Sequence, residues 1–135
     1  MRGILADINV GAQVDVLLLI WSSDAWRELW NDLGLVVESF SGLGLAHDAS
    51  DAVIWRACQR EGLVLITANR NRHGPDSLEA VIQAENQPHS LPVVTIGDAN
   101  RVLKDRPYAE KAAVRLLERL LAIDDFRGTG RIYVP

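Results

Sequence analysis

The acidic side chains Asp7, Asp48, Asp51, Asp76, Glu79 and Asp98 recur beside expected strand ends and helix starts, with Thr67, Asn69 and Asn71 among them. Hard cations such as Mg²⁺ and Mn²⁺ take oxygen ligands, commonly one or two carboxylates completed by water and a substrate phosphate. A cation held in this way activates water and offsets the charge that develops in an in-line phosphodiester displacement. Clustered carboxylates repel one another, and a bound cation relieves that repulsion. Arg70, Arg72 and His73 follow closely and suit a phosphate-facing edge, although solvated loop charges are an equal reading.

Structural duties compete for the same acids. Asp48 with Asp51, and Asp76 with Glu79, have the spacing of a helix N-cap and its third residue, where acidic groups also favour the helix dipole. Capping is the stronger expectation for Asp76 and Glu79, and the two readings of Asp51 stand level. Asp7 ends an apolar run with no evident helix to cap, which favours a functional role.

Other chemistries find little support. The chain has no G-x-S-x-G and no Walker A sequence, and Cys58 falls on the apolar side of its expected helix. His47, His73 and His89 lack zinc-like spacing. Gly42 and Gly44 imitate a dinucleotide fingerprint, but the third glycine is absent and the loop follows the second expected strand rather than the first.

The elements that must position these residues read as alternating strands and helices. Gly3 to Asp7 is a short apolar strand closed by a polar turn. Ala12 to Trp21 is apolar nearly all round and fits a buried or partner-covered helix, with a strand left open. Ser22, Ser23 and Asp24 are cap candidates for a helix whose Trp26, Leu29, Trp30 and Leu33 make a core-facing stripe, stopped by Gly34. Leu35 to Phe40 is a second strand, followed by a loop from Ser41 to Asp48. The helix Ser50 to Glu61 puts Val53, Ile54, Ala57 and Cys58 on one side. Trp55 turns to the polar side, where it needs cover. Gly62 ends that helix, and Leu63 to Thr67 is a continuous apolar strand of the kind buried on both faces. The polar loop Ala68 to Pro75 leads to a helix near Asp76 with Leu78, Val81 and Ile82 inward. Pro92 to Ile96 is a strand, Pro107 opens the last long helix, and Arg131 to Val134 is an edge strand.

At 135 residues the chain suits one domain. Hydrophobic content of 48% against 24% charged residues fits an ordinary globular fold rather than a disordered chain. A net charge of −4 argues against a protein that coats nucleic acid, because non-specific affinity comes mainly from phosphate neutralisation. The lone cysteine fits a reducing, cytoplasmic setting, and no signal peptide is evident. The longest apolar run, Val16 to Trp21, is too short to span a bilayer, so no membrane partner is expected.

On these residues the chain resembles a PIN domain, and more closely the short bacterial PIN-like proteins of unknown function. ILADINV is similar to the family's opening strand and its aspartate, at Asp7. SDAVIWRACQREGLVLITANRN is similar to its segment of aspartate, helix, apolar strand and Thr-x-Asp or Thr-x-Asn, at Asp51, Thr67 and Asn69. The family's mid-chain acid has Asp48 as its nearest counterpart. Its last acid falls near Asn71 or Arg72, neither acidic, with Asp76 as a substitute if the loop folds back. The resemblance implies a Mg²⁺- or Mn²⁺-dependent ribonuclease, often the toxin of a toxin–antitoxin pair. Asp7 and Asp51, supported by Asp76, would hold the metal, and Thr67 and Asn69 would position water or ligands.

The expected fold is therefore a three-layer α/β/α domain over residues 1–135 with a parallel sheet of four or five strands and right-handed crossovers. RNA is the expected partner, with an antitoxin-like protein and a second copy of the chain as further candidates. The apolar Val16 to Trp21 segment and Trp55 suggest the homodimer. The competing reading is an interaction module that keeps the fold without the chemistry.

Overall fold

The computed structural model describes residues 1–68 and 74–135. Among these the chain forms strands β1 (Gly3–Ala6), β2 (Val36–Glu38), β3 (Leu63–Thr67), β4 (Val93–Ile96) and β5 (Arg131–Val134). The α-helices are α1 (Gly11–Trp21), α2 (Arg27–Leu33), α3 (Asp51–Glu61), α4 (Leu78–Glu85), α5 (Ala99–Lys104) and α6 (Arg106–Leu121). The strands make one all-parallel sheet in the order β2-β1-β3-β4-β5.

Strand alternation divides the apolar residues between two cores. Ile4, Val64, Ile66, Val94 and Ile96 pack against α1, α5 and α6 through Leu17, Val102 and Leu116. Leu5, Leu63, Leu65 and Val93 pack on the other face against α3 and α4 through Ile54, Cys58, Leu78 and Val81. All of β3 is buried, which is why its sequence is apolar without a break. The three-layer α/β/α architecture expected from the sequence is present, with five strands.

The connections depart from expectation at one place. The step from β3 to β4 passes through α4 on one face, and the step from β4 to β5 passes through α5 and α6 on the other. Both steps move the same way along the sheet, so the two crossovers have opposite hands. Uniformly right-handed connections do not hold here.

Local differences have local causes. The segment Ala12 to Trp21 is helical, with Val14, Leu17, Ile20 and Trp21 turned inward and Leu19 70% exposed. Ser22 closes α1 rather than capping α2, whose start has no side-chain cap. No residue of α2 is fully buried, but Trp30 stacks on Trp21 at 4.7 Å, and Trp21 donates its indole N–H to the carbonyl of Ala113 on α6. β2 is shorter than Leu35 to Phe40 because it is an edge strand with Val36 and Val37 exposed.

The inward face of α3 is rotated from its apolar stripe. Trp55 is 4% exposed and lies in the α3–α4 core, while Val53 is 45% exposed. The helix is covered on two sides, by the sheet and by α4, so the buried arc widens to include Ala52 and Trp55. Trp55 therefore gives no reason for a second copy of the chain. Gly62 stops α3 in the left-handed conformation, at φ 69°, which glycine adopts without a Cβ penalty. No helix among the described residues is long and apolar enough to cross a membrane.

Candidate functional site at the carboxyl edge of the sheet

β1 lies between β2 and β3, so the chain leaves it in one direction and later continues on its other side. That reversal makes the β1/β3 boundary the topological switch point, and ligands in open α/β sheets bind just outside the strand carboxyl ends at such a point. Asp7 and Thr67 flank it. Asp7 follows the last residue of β1, Thr67 ends β3, and the register Ala6 to Ile66 sets them side by side. The Thr67 hydroxyl donates to Asp7 Oδ2 at 2.7 Å, and the Ile8 amide donates to Oδ1 at 2.8 Å. A backbone bond from Asp7 N–H to the Ile66 carbonyl, 2.8 Å long, continues the ladder one residue beyond the strand.

Asp7 is 8% exposed, and among the described residues no ion pair engages it. It caps the 3₁₀ turn Ile8–Val10 that leads into α1, a duty not legible in the sequence. Its charge reaches α3. Burial first, and the negative charge of Asp7 second, push the Cys58 thiol up to about 12. A thiol so reluctant to ionise is no nucleophile, in line with the exclusion of cysteine chemistry.

Asp51 stands at the start of α3 and ties two helix starts together. Ser50 is the N-cap of α3, accepting from Val53 N–H, and Ser77 is the N-cap of α4, accepting from Ala80 N–H. The Leu78 amide of α4 donates to Asp51 Oδ2 at 3.1 Å. Asp48 is exposed and caps nothing. Asp76 lies outside α4, so the capping expected of each passes to the neighbouring serine. Serine and aspartate are near-equal caps, and adjacent candidates in the sequence do not separate them.

Asp51 and Asp76 line one open cleft of about 360 Å³ with Ser50, Ser77 and Gly74. Glu79 instead pairs with Arg131 of β5 at 3.4 Å, and Asp98 caps α5 by accepting from Arg101 N–H at 3.2 Å. The acids at this edge thus fall into Asp7 with Thr67 at the switch point, and Asp51 with Asp76 at the starts of α3 and α4. Asn69, Arg70, Arg72 and His73 lie outside the described residues.

Among the described residues no group of three or more His, Cys, Asp or Glu side chains gathers as a metal-holding cluster. The donors present are hard oxygens, the type Mg²⁺ and Mn²⁺ take. Those ions are commonly held by one or two carboxylates with water and phosphate oxygens completing the shell. Among the described residues each carboxylate oxygen of Asp7 accepts one hydrogen bond, and each has a second lone pair for a cation. Comparison with protein-family models, with curated proteins and with solved structures returned no match.

Proposed function

We propose that this chain is a divalent-metal-dependent ribonuclease of PIN-like type, acting on single-stranded RNA at the carboxyl edge of its sheet. The observation that carries the reading is Asp7. It is a nearly buried carboxylate at the β1/β3 switch point, oriented by Thr67 and by the Ile8 amide, with no ion pair among the described residues. Burying a carboxylate without a counter-charge is costly, so a bound cation gives that placement a purpose.

In this reading Asp7 and Asp51 hold Mg²⁺ or Mn²⁺, with Asp76 supporting from the cleft it shares with Asp51. A bound Mg²⁺ or Mn²⁺ supplies charge stabilisation for the phosphodiester displacement and a more acidic water. Thr67 fixes the orientation of Asp7. Asn69 adds a neutral oxygen past β3, and Arg70, Arg72 and His73 meet RNA phosphates without making the whole protein basic. A toxin-type nuclease of this kind works in the cytoplasm and is held in check by an antitoxin-like protein. A second copy of the chain is a further partner, through the exposed Leu19 on α1.

The test is cleavage of labelled single-stranded RNA with and without chelator, beside thermal melts with titrated Mn²⁺. Asp7→Asn and Asp51→Asn should each abolish Mn²⁺-dependent cleavage with the fold intact, and Asp76→Asn should do less. Cleavage that survives chelation refutes the mechanism. The bond from Leu78 to Asp51 favours a second reading, in which Asp51 only ties α3 to α4 and the chain is an interaction module. Neither cleavage nor any Mn²⁺ shift in melting would establish that module reading.

A further inference from the structure

Toward the amino edge of the sheet, at the end opposite Asp7, lies a partly enclosed cavity of about 280 Å³. Trp55 and Gln59 line it from α3, one turn apart, and Glu85 lines it from the end of α4. Ser90 and Leu91 line it from the approach to β4, and Arg127 from the approach to β5. The frame is held firmly. Gln59 grips the Leu91 backbone with both ends of its amide, donating to the carbonyl at 2.8 Å and accepting from the N–H at 3.0 Å. The volume is close to the roughly 300 Å³ at which small-molecule pockets begin.

The lining side chains that are not fully exposed divide by the kind of hydrogen bond they still have to make. The acceptors are engaged: Gln59 Oε1 takes the Leu91 N–H, and the Glu85 carboxylate takes a fork of bonds from Arg56. The donors are not all engaged. Arg127 is fixed by Asp124 at Nε and by the His89 carbonyl at Nη1, which leaves its Nη2 hydrogens unpaired among the described residues. Ser90 accepts from the Gln87 amide and keeps its own hydroxyl proton to donate. The indole N–H of Trp55 is buried without a partner, in a residue only 4% exposed. Native structures seldom leave such a donor unpaired. It is sealed from solvent, so a small tilt of the ring toward the cavity must accompany any contact with a ligand, and side-chain adjustments of that kind are common on binding.

We propose that this cavity binds a small carboxylate carried on a planar, apolar body. The carboxylate oxygens take the donors of Arg127, Ser90 and Trp55, and the body packs against the Trp55 indole and Leu91. A fixed guanidinium favours an anion, and engaged acceptors beside unpaired donors disfavour a ligand that must itself donate. The site is remote from the carboxyl edge, so it stands whether or not the nuclease reading does.

Proton–nitrogen correlation NMR resolves the indole N–H signals of the four tryptophans, and Trp55→Phe identifies the one from Trp55. Sequential assignment of the parent serves the same end should that variant fail to fold. The probes are phenylacetate and benzoate at millimolar concentration, with benzylamine as the cation on a similar body. Both carboxylates should move the Trp55 signal downfield to saturation and slow exchange of its proton with water, and benzylamine should do neither. Arg127→Met keeps the stem and removes the donors, and should weaken phenylacetate binding about 10- to 150-fold, the usual range for losing a hydrogen bond to a charged group. Circular dichroism melts establish that this variant is folded. A Trp55 signal that neither carboxylate moves overturns the proposal. So does an equal response to benzylamine, and so does a folded Arg127→Met protein that binds phenylacetate as tightly as the parent.

Discussion

Replacing Thr67 by valine removes one hydroxyl and nearly conserves volume, at a residue with no solvent exposure. The lost bond is the 2.7 Å contact to Asp7 Oδ2, whose carboxylate is itself nearly buried and, among the described residues, then keeps the Ile8 amide alone. A hydrogen bond to a charged group contributes about 1.5–3 kcal/mol. With an unfolding entropy of roughly 2.1 cal/mol/K per residue, the whole chain loses about 0.28 kcal/mol per degree near its midpoint. Thr67→Val should therefore lower Tm by about 5–11 °C, and Thr67→Ser should recover most of the loss. Thr67 makes further contacts, so a double-mutant cycle with Asp7→Ala isolates the pair. Differential scanning calorimetry of the four proteins gives the coupling. A coupling under about 0.5 kcal/mol would falsify the claim that Thr67 holds Asp7 in place.

Cys58 makes stability depend on alkaline pH. Its thiol is held at about 12 against an ordinary 9.0, so between those values the unfolded chain has released a proton that the folded chain retains. Stability is fully present below about pH 9 and falls by up to about 1.4 kcal/mol per pH unit above it. Urea titrations from pH 8 to 11 should show this slope in the parent and lose it in Cys58→Ala. Asp51→Asn keeps an amide oxygen for the Leu78 N–H, whereas Asp51→Ala does not. The alanine variant should be about 1 kcal/mol less stable than the asparagine one, although both lose metal-dependent cleavage, and equal stabilities would remove Asp51 as a tie between α3 and α4. Gly3→Ala puts a Cβ 2.1 Å from the Val36 carbonyl oxygen, so β2 must separate from β1. Chemical denaturation should show a loss of at least about 1–3 kcal/mol, and a neutral result would mean that β2 yields without cost.

The sequence carried the architecture because each strand run and helix stripe has its own period. β3 was readable as a doubly covered strand from Leu63 to Thr67 alone, and the Gly34 and Gly62 stops are local backbone chemistry. Trp55 was not readable, because its burial depends on α4 arriving from elsewhere in the chain. The same holds for the hand of the β4 to β5 connection, since nothing within α5 or α6 specifies which face they cover. At the site, the adjacency of Asp7 and Thr67 depends on β1 and β3 pairing in parallel register, which neither segment specifies by itself. The division of labour between Asp48 and Ser50, and between Asp76 and Ser77, turns on differences of two residues and one residue in helix start that capping preferences do not resolve.

The internal position of β1, between β2 and β3, also bears on how the chain matures as it is synthesised. β1 is made well before its partner on one side, β3, which begins at Leu63. At 5–20 residues per second, translation of the intervening roughly 60 residues takes about 3–12 s. During that interval Ile4 and Leu5 have at most the three-residue β2 to pair with. The nascent segment therefore spends seconds as an apolar strand with an unfilled edge, the kind of state that chaperones shield. Slowing translation between β2 and β3 should lower soluble yield, whereas a pause after Thr67 should be tolerated.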